Sequence, residues 1–564
     1  MDARITRRRL LGLGAALAAG GTALPGAALA TRLFAPTLRR IDVRNAGRRY
    51  AGDRSLLATV SPGVGGRETA AVSFRLDRTA RVHLEAVRNH LRKTTVVWER
   101  EARLPAGAHE LSWTPDVATA PGSYLLRLTV EDSRGLRRVY GGRRPSTPDR
   151  GTAPVVRVLG VEAAFDRRSY IPGEAMSLTI LADAATLSLT FLRCGQELEA
   201  TARNDELSGV TLGEPVAMDW SGKRSAPATI AIQSGDWPTG LYGVRLETED
   251  GRLGFAPFVL RPVAPGTVRE AVVLPTNTWQ AYNFYDRDGD GWGDTWYAGG
   301  VPPVRLDRPY RDRGVPPRYR RYDLPFLQWL RRMHRSPEFL AEDDLEAMPN
   351  GDELRRLYDL VVFPGHTEYV TEHGFDVIER FRDLGGRLVF LSANNIFWRV
   401  DKQGSVMHRR KLWRDLGRPE SAVVGAQYIA NDDGARQAPY TVVGAAAAPW
   451  LFGKTGLVDG STFGEVVGGY GIEIDATTAA SPVGTVVLAR ATDVFGPGLT
   501  AEMTYYETAA GARVFAAGAL DFASSVMTWP VWKLLDNLWR HMLADLPPAV
   551  EPAPPEPPPT PPTG

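Results

Sequence analysis

Residues 360–369 read LVVFPGHTEY. Leu360 to Phe363 form a short, continuously apolar run with the character of a strand buried on both faces. A Pro-Gly turn then hands over directly to His366, Thr367, Glu368 and Tyr369. Comparable apolar runs occur at residues 271–274 and 387–391. Between them lie segments of helical period. Residues 323–335 put Phe326, Leu327 and Leu330 on one side, and residues 372–384 do the same with Phe375, Ile378 and Phe381. Alternating strand and helix predicts an α/β domain built on a mainly parallel sheet, with a further strand at 512–517 and a closing helix near 532–543. Ligands of such sheets bind beyond the carboxyl ends of the strands. His366 and Glu368 after one strand, and Asn394 and Asn395 after another, are therefore expected to meet at one sheet edge.

Upstream the period changes to two. Residues 71–76 (AVSFRL) and 124–130 (YLLRLTV) alternate as strands of an all-β unit do, and a Pro/Arg/Gly-rich stretch at 141–154 reads as a linker. Trp113 followed by Pro121-Gly122-Ser123-Tyr124 resembles the Ig-like module of the flagellar hook-capping family. A second β-rich region, residues 155–262, closes on Pro238-Thr239-Gly240-Leu241-Tyr242, with Tyr242 in the place of Tyr124. Two tandem β-sandwiches are expected ahead of the α/β domain.

At roughly 150 residues per domain, 564 residues suffice for three or four cores. The boundaries expected are a signal at 1–30, sandwiches at 31–150 and 151–265, the α/β domain at 266–546, and a Pro-rich disordered tail at 547–564. With 67 basic against 65 acidic residues the net charge is +2, which gives no pull toward phosphate backbones, so nucleic acid is not an expected partner. The single cysteine, Cys194, excludes an intramolecular disulfide and a cysteine-based zinc site, and reads as a buried inert thiol. Arg7-Arg8-Arg9 precedes a Gly/Ala/Leu stretch ending in Ala28-Leu29-Ala30, which resembles a twin-arginine export signal. An uncleaved anchor, or a general secretory signal with a chance arginine pair, is the alternative. Export would place the mature protein in the periplasm or outside the cell. No further apolar run of about 18 residues predicts a membrane span.

Four clusters carry the chemistry: Thr278-Trp279-Gln280-Ala281-Tyr282-Asn283, Asp307-Arg308-Pro309-Tyr310, Gly365-His366-Thr367-Glu368-Tyr369, and Asn394-Asn395-Ile396-Phe397-Trp398-Arg399. In this order they resemble the large (beta) subunit family of N,N-dimethylformamidase, from Gly266 to about Leu546. The resemblance implies a glutamine-amidotransferase-like α/β fold. It also implies a mononuclear iron held by two tyrosinates and one glutamate, hydrolysis of small amides, and a small partner subunit or a homo-oligomer. Carried over by motif, the metal ligands fall on Tyr242, Tyr282 and Glu368, and the catalytic histidine and asparagine on His366 and Asn394. Phenolate and carboxylate are hard anionic donors suited to ferric iron. Other readings stand beside these. Tyr242 repeats Tyr124 and reads equally as a sandwich-core tyrosine, Tyr282 as packing beside Trp279, and Asn394 as a loop or helix cap.

Residues 286–294 (DRDGDGWGD) place oxygens of Asp286, Asp288, Asp290 and Asp294 at positions 1, 3, 5 and 9 of an EF-hand-like loop. Gly291 stands at 6 and the Trp292 carbonyl at 7. Calcium is the expected ion, although position 12 is Tyr297 rather than Glu; a solvated acidic turn is the alternative. The arginine-rich run 305–321 reads as solvated surface more readily than as an anion site. The sequence therefore predicts an exported metal-dependent amidohydrolase. The competing class is a secreted, calcium-dependent binder of a cell-wall polymer with a catalytically silent α/β domain.

Overall fold

The computed structural model describes residues 35–47, 49–89, 94–141, 153–297, 302–432 and 434–546. The expected signal and the Pro-rich tail lie outside them.

The first β unit packs a three-stranded sheet against a larger one. Leu38–Asn45, Ala70–Leu76 and Gly107–Trp113 form the small sheet; the large one runs Leu57–Val60, Val155–Val158, Gly122–Glu131, Ala80–Asn89, Thr94–Leu104. Alternation sends Val72, Phe74 and Leu76 of one sheet and Val82, Leu84, Leu126 and Leu128 of the other into a shared core around Trp113 and Tyr124. Val155–Val158 completes this unit by pairing with Leu57–Val60 and Gly122–Glu131. The first core thus extends past the boundary expected at residue 150, because that boundary followed the linker-like composition and not the strand that returns to the sheet.

The second β unit pairs Val161–Phe165, Ala175–Ala182 and Ala228–Gln233 against a five-stranded sheet in which Gly240–Thr248 lies between Leu253–Leu260 and Thr186–Arg193. The two units repeat one local device. Tyr124 donates its hydroxyl to the Ala120 carbonyl and Tyr242 to the Pro238 carbonyl, each at 2.6 Å and each four residues back. This tyrosine corner ties the loop entering the strand to the strand itself.

A nine-stranded mixed sheet organises the rest. Five neighbouring strands are parallel, in the order Glu338–Ala341, Glu270–Leu274, Leu360–Phe363, Arg387–Phe390, Arg513–Ala516. Ala501–Glu507, Val486–Ala491, Tyr440–Val442 and Thr462–Phe463 continue it antiparallel. Residues of the parallel strands sort by period two into separate cores. Val272, Leu360 and Val362 face one core with Phe326, Leu327 and Leu330 of helix Leu324–Arg332 and with Leu534 and Trp539 of helix Val531–Leu543. Val273, Val361 and Phe363 face the other with Phe375, Ile378 and Phe381 of helix Glu372–Asp383. Helices on both faces are why these strands read as unbroken apolar runs. No helix among the described residues is long and apolar enough to cross a membrane.

Candidate active site

Three parallel strands deliver polar residues from their carboxyl ends. Glu270–Leu274 leads through Pro275 into the short helix Thr276–Ala281, which ends on Tyr282. Leu360–Phe363 leads through Pro364 and Gly365 to His366 and Glu368. A Cβ at Gly365 would lie 2.4 Å from Asp323 Oδ1, so only glycine fits this turn. Arg387–Phe390 leads to Asn394, held at φ 54°. A fourth contribution comes from an excursion between Arg387–Phe390 and Arg513–Ala516, whose strand Glu473–Ala476 turns Glu473 toward the same point.

These groups meet in a buried cluster. His366 Nε2 stands 3.4 Å from a carboxylate oxygen of Glu368 and 3.4 Å from one of Glu473. The three ligand atoms lie within 4.8 Å of one another. Tyr282 donates its hydroxyl to Glu368, and Tyr369 donates to the Tyr282 oxygen at 3.2 Å. Asn394 Nδ2 donates to Glu473 at 2.6 Å, and the Asn394 backbone N–H donates to Asp475 Oδ1 at 2.8 Å. The Glu368 amide is fixed by Thr278 Oγ1 at 3.0 Å.

Burial sets the protonation pattern. It lowers the His366 imidazole to about 3, so the ring is neutral near pH 7 and able to accept a proton or bind a cation. The Tyr282 phenol is held well above its ordinary value, first by burial and then by Glu368. Asp475 is raised to about 8, chiefly by burial. A neutral imidazole, two carboxylates and a phenol converging without water are a donor set that fits a hard cation, and a cation there would invert the local preference by favouring the phenolate.

Tyr242 does not belong to this set, contrary to the expectation from motif spacing. It lies in the core of the second β unit, stacked between Trp237 (5.6 Å) and Phe258 (5.8 Å), with its hydroxyl committed to Pro238. The corner it makes accounts for its resemblance to Tyr124. The sequence reading also passed over three residues that the fold brings in: Glu473, Tyr369 and Tyr297. Charged residues at 473 and 475 inside the apolar alternation Tyr470–Ile474 were the available signal for the first.

In the acidic loop, carboxylate oxygens of Asp286, Asp288 and Asp290 lie within 4.8 Å of one another. Asp286 accepts the N–H groups of Gly289, Asp290 and Gly291, and the Trp292 N–H donates to Asp290. Burial, followed by Asp290 among other causes, raises Asp286 to about 7. Asp294 does not join the three. Its carboxylate accepts the Arg287 N–H and faces buried Arg308 at 4.0 Å. Arg308 itself departs from the expected solvated surface: it is buried and donates to the Gln280 carbonyl at 2.6 Å. The loop docks on the first β unit. Asn89 donates to the Gly291 carbonyl at 2.7 Å, and a Cβ on Gly291 (φ 84°) would meet Leu125 at 2.4 Å. Its far end carries Tyr297, which stacks on Tyr282 at 3.7 Å between ring centroids.

A sequence model of the family described as N,N-dimethylformamidase beta subunit-like, C-terminal, matches residues 216–533. The N,N-dimethylformamidase beta subunit of Alcaligenes sp is 24% identical over 296 residues, covering 41% of this chain and 37% of that one. The protein of the same name from Paracoccus aminophilus is 23% identical over 274 residues, covering 38% and 34%. Each match thus spans little more than a third of the relative's own length. Among solved structures, Escherichia coli alpha-2-macroglobulin activated by porcine elastase aligns at 12% identity over 41% of this chain and 23% of that one, with a TM-score of 0.13. The Yersinia pseudotuberculosis adhesin InvE aligns at 13% identity over 36% and 56%, with a TM-score of 0.14. Scores this low carry no information on the fold. The family match, in contrast, covers more than half of the chain and encloses Tyr282, His366, Glu368, Asn394 and Glu473, and this chain belongs to the N,N-dimethylformamidase beta subunit-like, C-terminal family.

Proposed function

We propose that this protein hydrolyses the C–N bond of a small amide at the His366–Glu368–Glu473–Tyr282 cluster, with iron as the resident cation and Tyr282 and Glu368 among its ligands. The observation that supports this most is the convergence of those ligand atoms at the carboxyl ends of parallel strands, in a chain whose family relatives are named dimethylformamidase beta subunits. A cation held there supplies Lewis acidity toward an amide carbonyl and toward water. The protein's own groups do the rest. Neutral His366, between two carboxylates, accepts a proton from water and returns it to the departing amine. Asn394 holds Glu473 in place, and Glu473 fixes the imidazole from the side opposite Glu368. We assign the large sheet and its helices to the glutamine-amidotransferase-like architecture, on the strength of its parallel central strands and helices on both faces. The names of the relatives also motivate a small partner subunit.

Two further assignments belong to this reading. The acidic loop is proposed as a structural calcium site through Asp286, Asp288 and Asp290, bracing the junction with the first β unit. The arginine pair is proposed to direct twin-arginine export, so that replacing Arg7 and Arg8 with Lys retains the precursor in the cytoplasm; normal export of that variant would refute it.

The test is metal analysis of the purified chain together with amine release from formamide-type substrates. Iron near one equivalent with amine release supports the reading. Calcium alone, with no hydrolysis after iron loading, overturns it in favour of a calcium-dependent polymer-binding protein.

A further inference from the structure

Three hydroxyl and carboxylate groups form a directed chain in the cluster: Tyr369 donates to Tyr282, and Tyr282 donates to Glu368. We propose that Tyr369 is a positioning residue that tunes the Tyr282 oxygen as a metal donor, by a hydrogen bond that persists when Tyr282 becomes a phenolate. The proposal rests on the metal-dependent reading above and adds to it a residue that touches no expected ligand position.

The geometry carries it. When a cation binds Tyr282, the O–H bond breaks, an oxygen–metal bond forms, and the proton leaves to water. The donation from Tyr282 to Glu368 ends with that proton. The donation from Tyr369 does not, because its proton belongs to the other ring and its acceptor has gained charge. A hydrogen bond to an anionic oxygen is roughly twice as strong as one between neutral groups. The donor is also fixed before any ligand arrives. Tyr369 is 1% exposed and opens the strand Tyr369–Thr371, where it pairs in parallel register with Trp398. Its carbonyl accepts from Asn277 Nδ2 at 3.1 Å, and its ring meets the edge of Trp296 at 4.7 Å and of Tyr282 at 5.6 Å. Two aromatic neighbours at steep angles leave the ring no second position. Outer-sphere hydrogen bonds of this kind orient a ligand and set its basicity.

The consequence is spectroscopic. Donation to the phenolate lowers the energy of its filled oxygen orbital, so a tyrosinate-to-iron charge-transfer band needs more energy than it would without the bond. Tyr369→Phe keeps the ring against Trp296 and removes only the donor. In the full chain loaded with ferric iron, the expected result is unchanged iron content and a band moved to longer wavelength. A second measurement needs no variant: in the native iron-loaded protein, transfer to D2O deuterates the Tyr369 hydroxyl and shifts the tyrosinate C–O stretch in the resonance Raman spectrum. If the native protein loads iron without any tyrosinate band, the reading of the site fails and this proposal fails with it. If the native band is present but neither Tyr369→Phe nor D2O moves its signatures, the site reading stands and the role of Tyr369 is refuted. Loss of iron from Tyr369→Phe also refutes it, since Tyr369 would then be a ligand.

Discussion

Tyr242→Phe and Tyr282→Phe delete the same atom from two buried phenols, and they separate a ligand from a structural tyrosine. In the second β unit, Tyr242→Phe removes a neutral hydrogen bond of 2.6 Å and leaves the Pro238 carbonyl unpaired, at a cost of about 1–3 kcal/mol. At about 2–4 °C per kcal/mol for a unit of this size, the melting temperature falls by several degrees. Tyr282→Phe removes a donor from the Glu368 carboxylate and an acceptor from Tyr369, again about 1.5–3 kcal/mol because a charged partner is involved. Stability alone therefore does not distinguish the two variants. Metal does. Tyr242→Phe should retain iron in full, since its hydroxyl is committed to the sandwich corner. Tyr282→Phe should lose more affinity than the ~10- to 100-fold typical of outer-sphere changes, and with it the visible band. The assay is ferric loading, desalting, metal quantification and an absorption spectrum, with thermal melts as the folding control. Iron lost from Tyr242→Phe but kept by Tyr282→Phe would refute the site as built here.

Other expectations follow from the same geometry. Glu473→Gln keeps an acceptor for Asn394 Nδ2 but removes the charge facing His366 at 3.4 Å, and kcat for amide hydrolysis should fall by about 10²- to 10⁴-fold with the fold intact. A value within twofold of the parent would exclude Glu473 from the chemistry. Calcium at 100 times its dissociation constant should stabilise the chain by about 2.7 kcal/mol, and the Asp288→Ala, Asp290→Ala double variant should lose that response; an unchanged thermal shift places the ion elsewhere. Asp323 is buried with Trp279 Nε1 at 3.3 Å, and burial raises its carboxyl to about 8. The folded chain therefore holds a proton that the unfolded chain releases near pH 4. Between about pH 4 and 8 this group costs about 1.4 kcal/mol of stability per unit as pH rises. Asp323→Asn should flatten that slope in denaturant titrations. Parallel pH curves for variant and parent would show that Asp323 ionises normally.

Much of the site was legible because strand termini are legible. An apolar run such as Leu360–Phe363 can only be a strand covered on both faces, and whatever follows its end must emerge at the sheet edge. That logic located His366, Glu368 and Asn394 and, through the shorter run at Ala271 to Leu274, Tyr282. It also located the acidic loop, whose spacing is local chemistry and needs no tertiary contact.

Tertiary structure decided what spacing could not. Tyr242 and Tyr282 both follow plausible motifs, but a tyrosine whose hydroxyl closes a corner on Pro238 is already satisfied, and only the packed sandwich shows that commitment. Glu473 lies 105 positions beyond Glu368 in the chain, so no local period connects them, and their meeting at His366 exists because the excursion folds back over the sheet edge. Tyr297 counts as position 12 of a cation loop in sequence and as a ring stacked on Tyr282 in space. Sequence by itself determined which residues leave the strand ends, because periodicity and burial are properties of neighbours along the chain. The identity of the groups that face one another across the cluster was fixed only when separate segments packed, because hydrogen-bond satisfaction is a property of neighbours in space.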